Sequence, residues 1–392
     1  MRKLRTLLCL LILALTIPAA IHLKGALPPD TQPMIEKKYG GWSGVLRLWV
    51  CEGWPVGAGS AAGWINRCVA SFEKRHPGVY VQPEAVDAGA LSAQGLLPPD
   101  LVLFPPGAAD TALFAPLAFD PPLREGLPRD PRAAPVLLGG YLWAYNAGMI
   151  DRIPDSWRDT GLSVAAPDDD PAHLWSAALL ALCSSKYSAA DDRATDAPQG
   201  EIELGLSRDR PEETPVPAPS EGALSCRLPE GFAPGEAWHA FINGAAAAMP
   251  VTAREVRRLE ALSDQGVGPD WRLAAAGDAA FTDQVLYIGA INQENADRLT
   301  LCRAFIAHLL SDECQSQLHR VGAFSVTGAD SGYPAGDSLR TMEQLLRQKP
   351  LLIPAPFDAG WRQDAAGIVR DFWRDDREPA AILGLLARRI GQ

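Results

Sequence analysis

Between Gly63 and Phe104 the apolar positions change period, and the change marks out the first elements of the chain. Trp64, Ile65, Cys68, Val69 and Phe72 share one face of a helix with a 3.6-residue repeat. His76-Pro77-Gly78 stops that helix, because proline disfavours helical geometry in the residue before it and glycine tolerates the turn. Residues 79–81 and 101–104 read as short buried strands, and 45–50 as a strand ahead of the helix. Strand, helix, strand, strand opens an α/β domain, whose ligand site lies at the carboxyl ends of the strands.

The pattern continues downstream. Residues 105–135 are rich in Pro and Gly and carry few periodic signals. Tyr141 to Asn146 alternates and is rich in aromatics, which predicts a strand, with another at 162–165. Pro154-Asp155-Ser156-Trp157 reads as a helix start, and 171–185 as a helix. From Glu236 a short helix turns at Gly244 into a strand ending at Val251. Thr252 and Glu255 have the spacing of a capping box, each satisfying first-turn amides of the helix that follows. A strand lies within 281–291, and 298–310 predicts a helix with Cys302, Phe305, Ile306, Leu309 and Leu310 along its apolar stripe. Ser311-Asp312-Glu313 opens another helix with acids at its positive end, and helices at 361–373 and 378–390 close the chain. No segment repeats another.

The amino terminus changes the picture of where the protein works. Met1-Arg2-Lys3-Leu4-Arg5 is basic, and no charge follows from Thr6 to Leu23, the form of an export leader. As a helix, the apolar run from Leu7 to Leu23 would span about 26 Å, short of the roughly 30 Å hydrocarbon core. Pro18-Ala19-Ala20 is the nearest approach to a cleavage site. Residues 1–26 are therefore read as a signal peptide or an N-terminal membrane anchor, and 27–41 as a tether. Either way the body is exported, to the outer face of the cytoplasmic membrane or to the extracellular or periplasmic space.

Length suits two lobes. The expected division is 42–146 for the first part of lobe 1 and 147–270 for lobe 2. Residues 271–392 then supply the crossing segments, the remainder of lobe 1 and the C-terminal helices. Within lobe 2, residues 186–231 are acidic and rich in Pro and Ser, and bury too little apolar surface to offset ordering entropy, which predicts a disordered insertion. The net charge of -11 and the lack of a basic stripe exclude nucleic acid as a partner.

Candidate chemistry is sparse. Apart from Cys9 in the leader, the cysteines are Cys51, Cys68, Cys183, Cys226, Cys302 and Cys314. Cys68 and Cys302 sit on apolar helix faces and read as small buried hydrophobes. Cys183 and Cys226 flank the acidic insertion and are a possible disulfide. Gly57-Ala58-Gly59-Ser60-Ala61-Ala62-Gly63 imitates a dinucleotide fingerprint, with Glu84 beyond it. The fingerprint needs its tight turn directly at a strand end, and Gly57 lies well past Val50. Cys302, His308, Cys314 and His319 imitate a metal set, but their offsets scatter them around a helix. No metal and no cofactor is expected, and no hydrolase motif is present. The chain reads as a non-enzyme.

Taken in order, several segments resemble the sugar-binding, maltose-binding-like family 1 of extracellular solute-binding proteins that serve ABC importers. Phe72-Glu-Lys-Arg-His-Pro-Gly-Val-Tyr-Val81 is similar to its Phe-Glu-x-x-x-Pro-Gly-Val-x-Val, and Pro99-Asp-Leu-Val102 to its Pro-Asp-Val-Val. Tyr145-Asn146 with Pro154 to Trp157 resembles its Tyr-Tyr-Asn and Pro-x-Thr-Trp pair. Phe241 to Met249 resembles its Phe-x-x-Gly-x-Ala-Ala-Met, and Phe305 to Val326 its Phe-Leu-x-Phe-Leu…Gly-x-x-Pro-Val block. The resemblance implies an α/β, two-lobe periplasmic-binding-protein (type II-like) fold with crossing hinge segments. It also implies a monomer that closes on a small solute, a sugar first of all, and docks on ABC permease subunits, touching the membrane through its N-terminal segment only.

Sugars are gripped by aromatic faces and planar polar groups. The resemblance implies cleft aromatics at Trp143 and Tyr145 on the Tyr-Asn strand and at Trp361 opening the penultimate helix; Trp54 and Trp238 are further aromatic candidates, with Glu52 and Arg254 as polar ones. The alternative for each aromatic is a place in the core, and for each polar group a solvated surface. Where family members carry Gly-x-Trp, this chain has Val251 to Glu255, so that Arg254 replaces an aromatic platform. The unusual leader and the acidic insertion also fit a membrane-anchored surface sensory or interaction module that keeps the fold without transport.

Overall fold

The structure, a computed structural model, describes residues 42–87, 98–127, 129–154, 162–165, 234–275, 277 and 279–353. The leader, the tether, the acidic insertion with Cys183 and Cys226, residues 155–157 of the expected helix start at Pro154, the expected helix at 171–185, and the closing helices with Trp361 lie outside the described residues.

Strand β1 (Gly44–Val50) leads to helix α1 (Ala61–Arg75), β2 (Val79–Ala85) and β3 (Leu101–Phe104). Ser60 caps α1 by accepting the amide of Gly63 at 3.1 Å. The helix buries Trp64, Ile65, Cys68, Val69 and Phe72, the stripe its spacing predicts. It ends at His76, whose amide returns to Phe72, and Gly78 turns the chain at φ +88°. Burying each of the larger side chains of that stripe contributes about 1.5–3 kcal/mol.

Strands β4 (Ala133–Leu138) and β9 (Val285–Ala290) complete a five-stranded sheet in the order β2-β1-β3-β9-β4. β1 runs parallel to β2 and β3, whereas β9 runs antiparallel to β3 and β4. Helix α4 (Ala296–Leu309) packs beside α1, with Phe305 edge-on to Phe72 at 5.1 Å. All five residues of its expected apolar stripe are buried. The short helix α5 (Asp312–Gln315) follows, as Ser311-Asp312-Glu313 predicts.

A second, antiparallel sheet has β5 (Leu142–Asn146) between β6 (Ala248–Val251) and β7 (Trp271–Ala274). Helices α2 (Pro234–Ile242), α3 (Ala253–Asp264) and α6 (Ser338–Arg347) accompany it. Thr252 and Glu255 form the capping box expected at the start of α3. Residues 162–165 contribute a single bridge, Val164 to Ala248, and β8 (Ala280–Phe281) pairs with β10 (Leu351–Leu352).

β5 does not alternate between buried and exposed. Every one of its residues is buried, because it is the central strand of its sheet and is covered on both faces. The chain leaves the first sheet at Leu138 and enters the second at Leu142, ahead of the division expected after Asn146. β7 likewise pairs with β5, inside the stretch expected to begin the crossing segments at 271.

Candidate functional site

Strand direction decides where the two halves meet. Val50 pairs with Leu103, Phe104 with Tyr287, and Leu138 with Val285. The carboxyl ends of β1, β3 and β4 and the start of β9 therefore share one edge of the five-stranded sheet. From that edge the chain crosses to the second sheet through Gly139–Gly140–Tyr141 and returns through Thr282–Asp283–Gln284.

The crossings are bonded to each other. Gly139 donates its amide to the carbonyl of Gln284 at 2.6 Å, and Gly140 donates to the Gln284 side-chain oxygen at 3.0 Å. Thr282 donates its hydroxyl to the carbonyl of Gly139 at 3.3 Å and accepts the amide of Gln284 at 3.0 Å. Tyr141 donates to Asp283 Oδ1 at 2.5 Å. A third segment joins them, Leu138 and Phe324 exchanging both backbone hydrogen bonds. Glycine is required in the first crossing: a Cβ on Gly139 would lie 2.4 Å from Gln284 Oε1, and one on Gly140 2.6 Å from Leu346 Cδ1.

The loop after β1 closes one side of this edge. Gly53 packs on Pro105, where a Cβ would come within 2.4 Å of the proline ring. Gly57 approaches both halves at once: a Cβ there would meet the Gly322 carbonyl at 2.9 Å and Ala253 Cβ, at the start of α3, at 3.0 Å. Trp54, half-buried, packs on the core in the same loop. Glu52 is exposed, and its Oε1 accepts the amide of Ala62 at 2.8 Å, so its carboxylate serves the first turn of α1. Arg254, exposed, is the residue after Ala253. Glu52, Trp54 and Arg254 are thus carried by the two segments that meet at Gly57.

The remaining candidates are placed differently. Trp143 is 0% exposed, opposite Pro250 and Ala274 in the middle of the second sheet, so its ring is core and presents no face to a solute. Trp238 is mostly buried, and the Arg258 guanidinium stands 3.9 Å from its ring centroid, occupying a face that a sugar would need. Tyr145 ends β5, donates to the carbonyl of Asp151 at 3.3 Å, and lines a groove of about 840 Å³ formed by β5, β7, α3 and the start of α6.

That groove was not foreseen from sequence. Trp271, Arg257, Asp270, Asp337 and Thr341 line it with Tyr145. The Trp271 indole donates to Ser263 Oγ at 2.8 Å, which fixes the ring. Arg257 binds Glu260 at 2.6 Å and Asp337 at 2.8 Å. Burial opposes its charge, but those carboxylates hold the guanidinium above its ordinary value. A rim of aromatic and paired polar groups can stack on and hydrogen-bond a hydroxylated molecule. Trp271 and Asp337 carried a signal, an aromatic opening a short apolar run and an Asp-Ser helix start. Nothing local announces that the two elements face each other.

Among the described residues no group of three His, Cys, Asp or Glu side chains could hold a metal ion, and no helix is long and apolar enough to cross a membrane.

Two sheets joined by paired crossings define a two-lobe periplasmic-binding-protein fold, and comparison with solved structures shows that fold. A family 1 extracellular solute-binding protein from Bifidobacterium longum subsp. infantis superposes with a TM-score of 0.60 at 11% identity, over 90% of this chain and 100% of that one. The cyclic alpha-maltosyl-1,6-maltose binding protein from Arthrobacter globiformis gives 0.53 at 11% identity, over 89% and 98%. The GacH receptor of Streptomyces glaucescens GLA.O, solved unliganded and with acarbose, gives 0.50 at 17% identity, over 89% and 98%. No protein-family model and no curated protein matches the sequence.

Proposed function

We propose that this chain is the extracytoplasmic solute-binding component of an ABC importer. It takes up a small, neutral, polyhydroxylated solute between its two halves and delivers it, chemically unaltered, to permease subunits in the membrane. The supporting observation is the bonded pair of crossings, Gly139–Gly140–Tyr141 and Thr282–Asp283–Gln284, at the carboxyl ends of the five-stranded sheet. Such a joint lets two lobes rotate while their interiors stay packed, and a ligand that touches both lobes stabilises the closed form by its differential contacts. Solved structures that share the fold include the cyclic alpha-maltosyl-1,6-maltose binding protein, the acarbose-bound GacH receptor and a family 1 solute-binding protein, which favours a carbohydrate.

Trp54, Glu52 and Arg254 contact the solute from the two sides of the cleft, Tyr145 and Trp361 complete the site, and Trp143 and Trp238 support it from the core. The chain acts as a monomer held at the outer membrane face or released outside the cytoplasm, according to the fate of residues 1–26.

The test is small-angle scattering with and without a panel of oligosaccharides, alongside native mass spectrometry of protein purified from its own host. A fall in radius of gyration with one sugar class, matched by a co-purified mass of that class, is the expected result. A chain that neither compacts with any solute nor carries one from its host would overturn the proposal.

A further inference from the structure

Two cysteines distant in sequence meet beside a histidine. Cys68 lies on the buried face of α1 and Cys314 in α5, and both are fully buried. The two thiols act on each other's ionisation, the Cys68 thiol pushed up and the Cys314 thiol pulled down by their contact. His308 Nε2 stands 3.4 Å from Cys314 Sγ, 3.1 Å from the carbonyl of Cys68 and 2.7 Å from Ser71 Oγ. The Trp64 indole donates to the carbonyl of Cys314 at 2.9 Å, which fixes α5 against α1. None of these residues belongs to the two crossings or lines the groove.

We propose that Cys68 and Cys314 form a disulfide in protein that folds outside the cytoplasm, joining α1 to α5. The proposal rests on the exported location given above. The oxidant is the disulfide of a thiol–disulfide oxidoreductase, or an oxidised low-molecular-weight thiol. Cys68 attacks it before α1 and α5 dock, giving a mixed disulfide and releasing one reduced thiol. Cys314 then loses its proton to solvent, and the thiolate attacks Cys68 Sγ. The second thiol of the oxidant leaves and takes up a proton, so two protein thiols become one disulfide and the oxidant becomes two thiols.

The experiment has two arms, each read by mass spectrometry of peptides after alkylation under denaturing conditions without reductant. In the first, the full chain is refolded in a glutathione and glutathione-disulfide buffer; in the second, it is purified from its host. The expected result in both is a linked pair of peptides containing Cys68 and Cys314, 2 Da lighter than their thiol forms, retained in a Cys302→Ser variant and lost in Cys314→Ser. Both thiols alkylated after oxidative refolding would overturn the proposal. Linkage in the buffer with two thiols in host protein would support the pairing and overturn the exported location instead.

Discussion

Tyr141 donates its phenolic hydrogen to Asp283 at 2.5 Å, and this bond ties one crossing segment to the other. Asp283 is only 7% exposed, so the carboxylate depends on protein donors. Tyr141→Phe removes that donor and is expected to cost about 1–3 kcal/mol, because a buried acceptor loses a partner. Urea unfolding measures the loss. An unchanged midpoint would show that the joint does not need this bond.

Gly139 offers a steric test of the same joint. An added methyl would overlap the side chain of Gln284, which is itself buried and hydrogen-bonded to Gly140. Gly139→Ala should destabilise by about 1–3 kcal/mol through overpacking. Scattering on the variant should also show an altered distribution between open and closed forms, since the displaced groups belong to the crossing itself.

The tryptophans separate into two roles. Trp143→Ala empties a fully buried site and is expected to lower stability by about 3–5 kcal/mol. Trp54→Ala, which loses only partial packing, should lower stability less than Trp143→Ala and raise the Kd for the identified sugar about tenfold, equivalent to about 1.4 kcal/mol. Calorimetric titration with that sugar, together with thermal unfolding, distinguishes them. The same Kd in Trp54→Ala would remove Trp54 from the site.

Thr252 and Glu255 satisfy the first amides of α3 where that helix approaches Gly57. Thr252→Ala should cost about 1 kcal/mol, the ordinary worth of a helix cap. Hydrogen exchange would localise the effect to the first turn of α3; protection unchanged there would show that Ala253 is held by the neighbouring loop alone.

Much of the architecture was legible because it is local. The stripe Trp64 to Phe72, the stop at His76-Pro77-Gly78 and the capping box at Thr252 each depend on residues a few positions apart, and each is found. β4 was missed because its short apolar run follows a Pro-rich stretch without periodicity, and β7 because three half-buried residues and the exposed Arg272 carry little pattern. Helix α6 had both a cap at Asp337 and an apolar face at Leu339, Met342 and Leu346, and could have been read.

The site was less legible than the fold. Trp143 looked like a cleft aromatic because the family this chain resembles carries aromatics near the cleft on its Tyr-Asn strand, and here the central position of β5 buries the ring. The cation over Trp238 comes from Arg258 on a different helix. The groove around Tyr145 is assembled from 145, 257–273 and 336–341, and the pairing of Cys68 with Cys314 joins positions even further apart. Proximity of that kind is a product of packing, which no local spacing encodes.

The register of Leu138 against Val285 has one last implication. Adjacent antiparallel strands are what a short reverse turn would connect, yet here everything from 139 to 284 is spliced between them. This stretch is thus an excursion from a β-hairpin, entering and leaving at neighbouring points. A foreign module with closely spaced ends, grafted between Leu138 and Val285, would inherit the same mechanical mount. This would turn the parent sheet into a scaffold for sensors in which strain at the two stalks reports what the graft has bound.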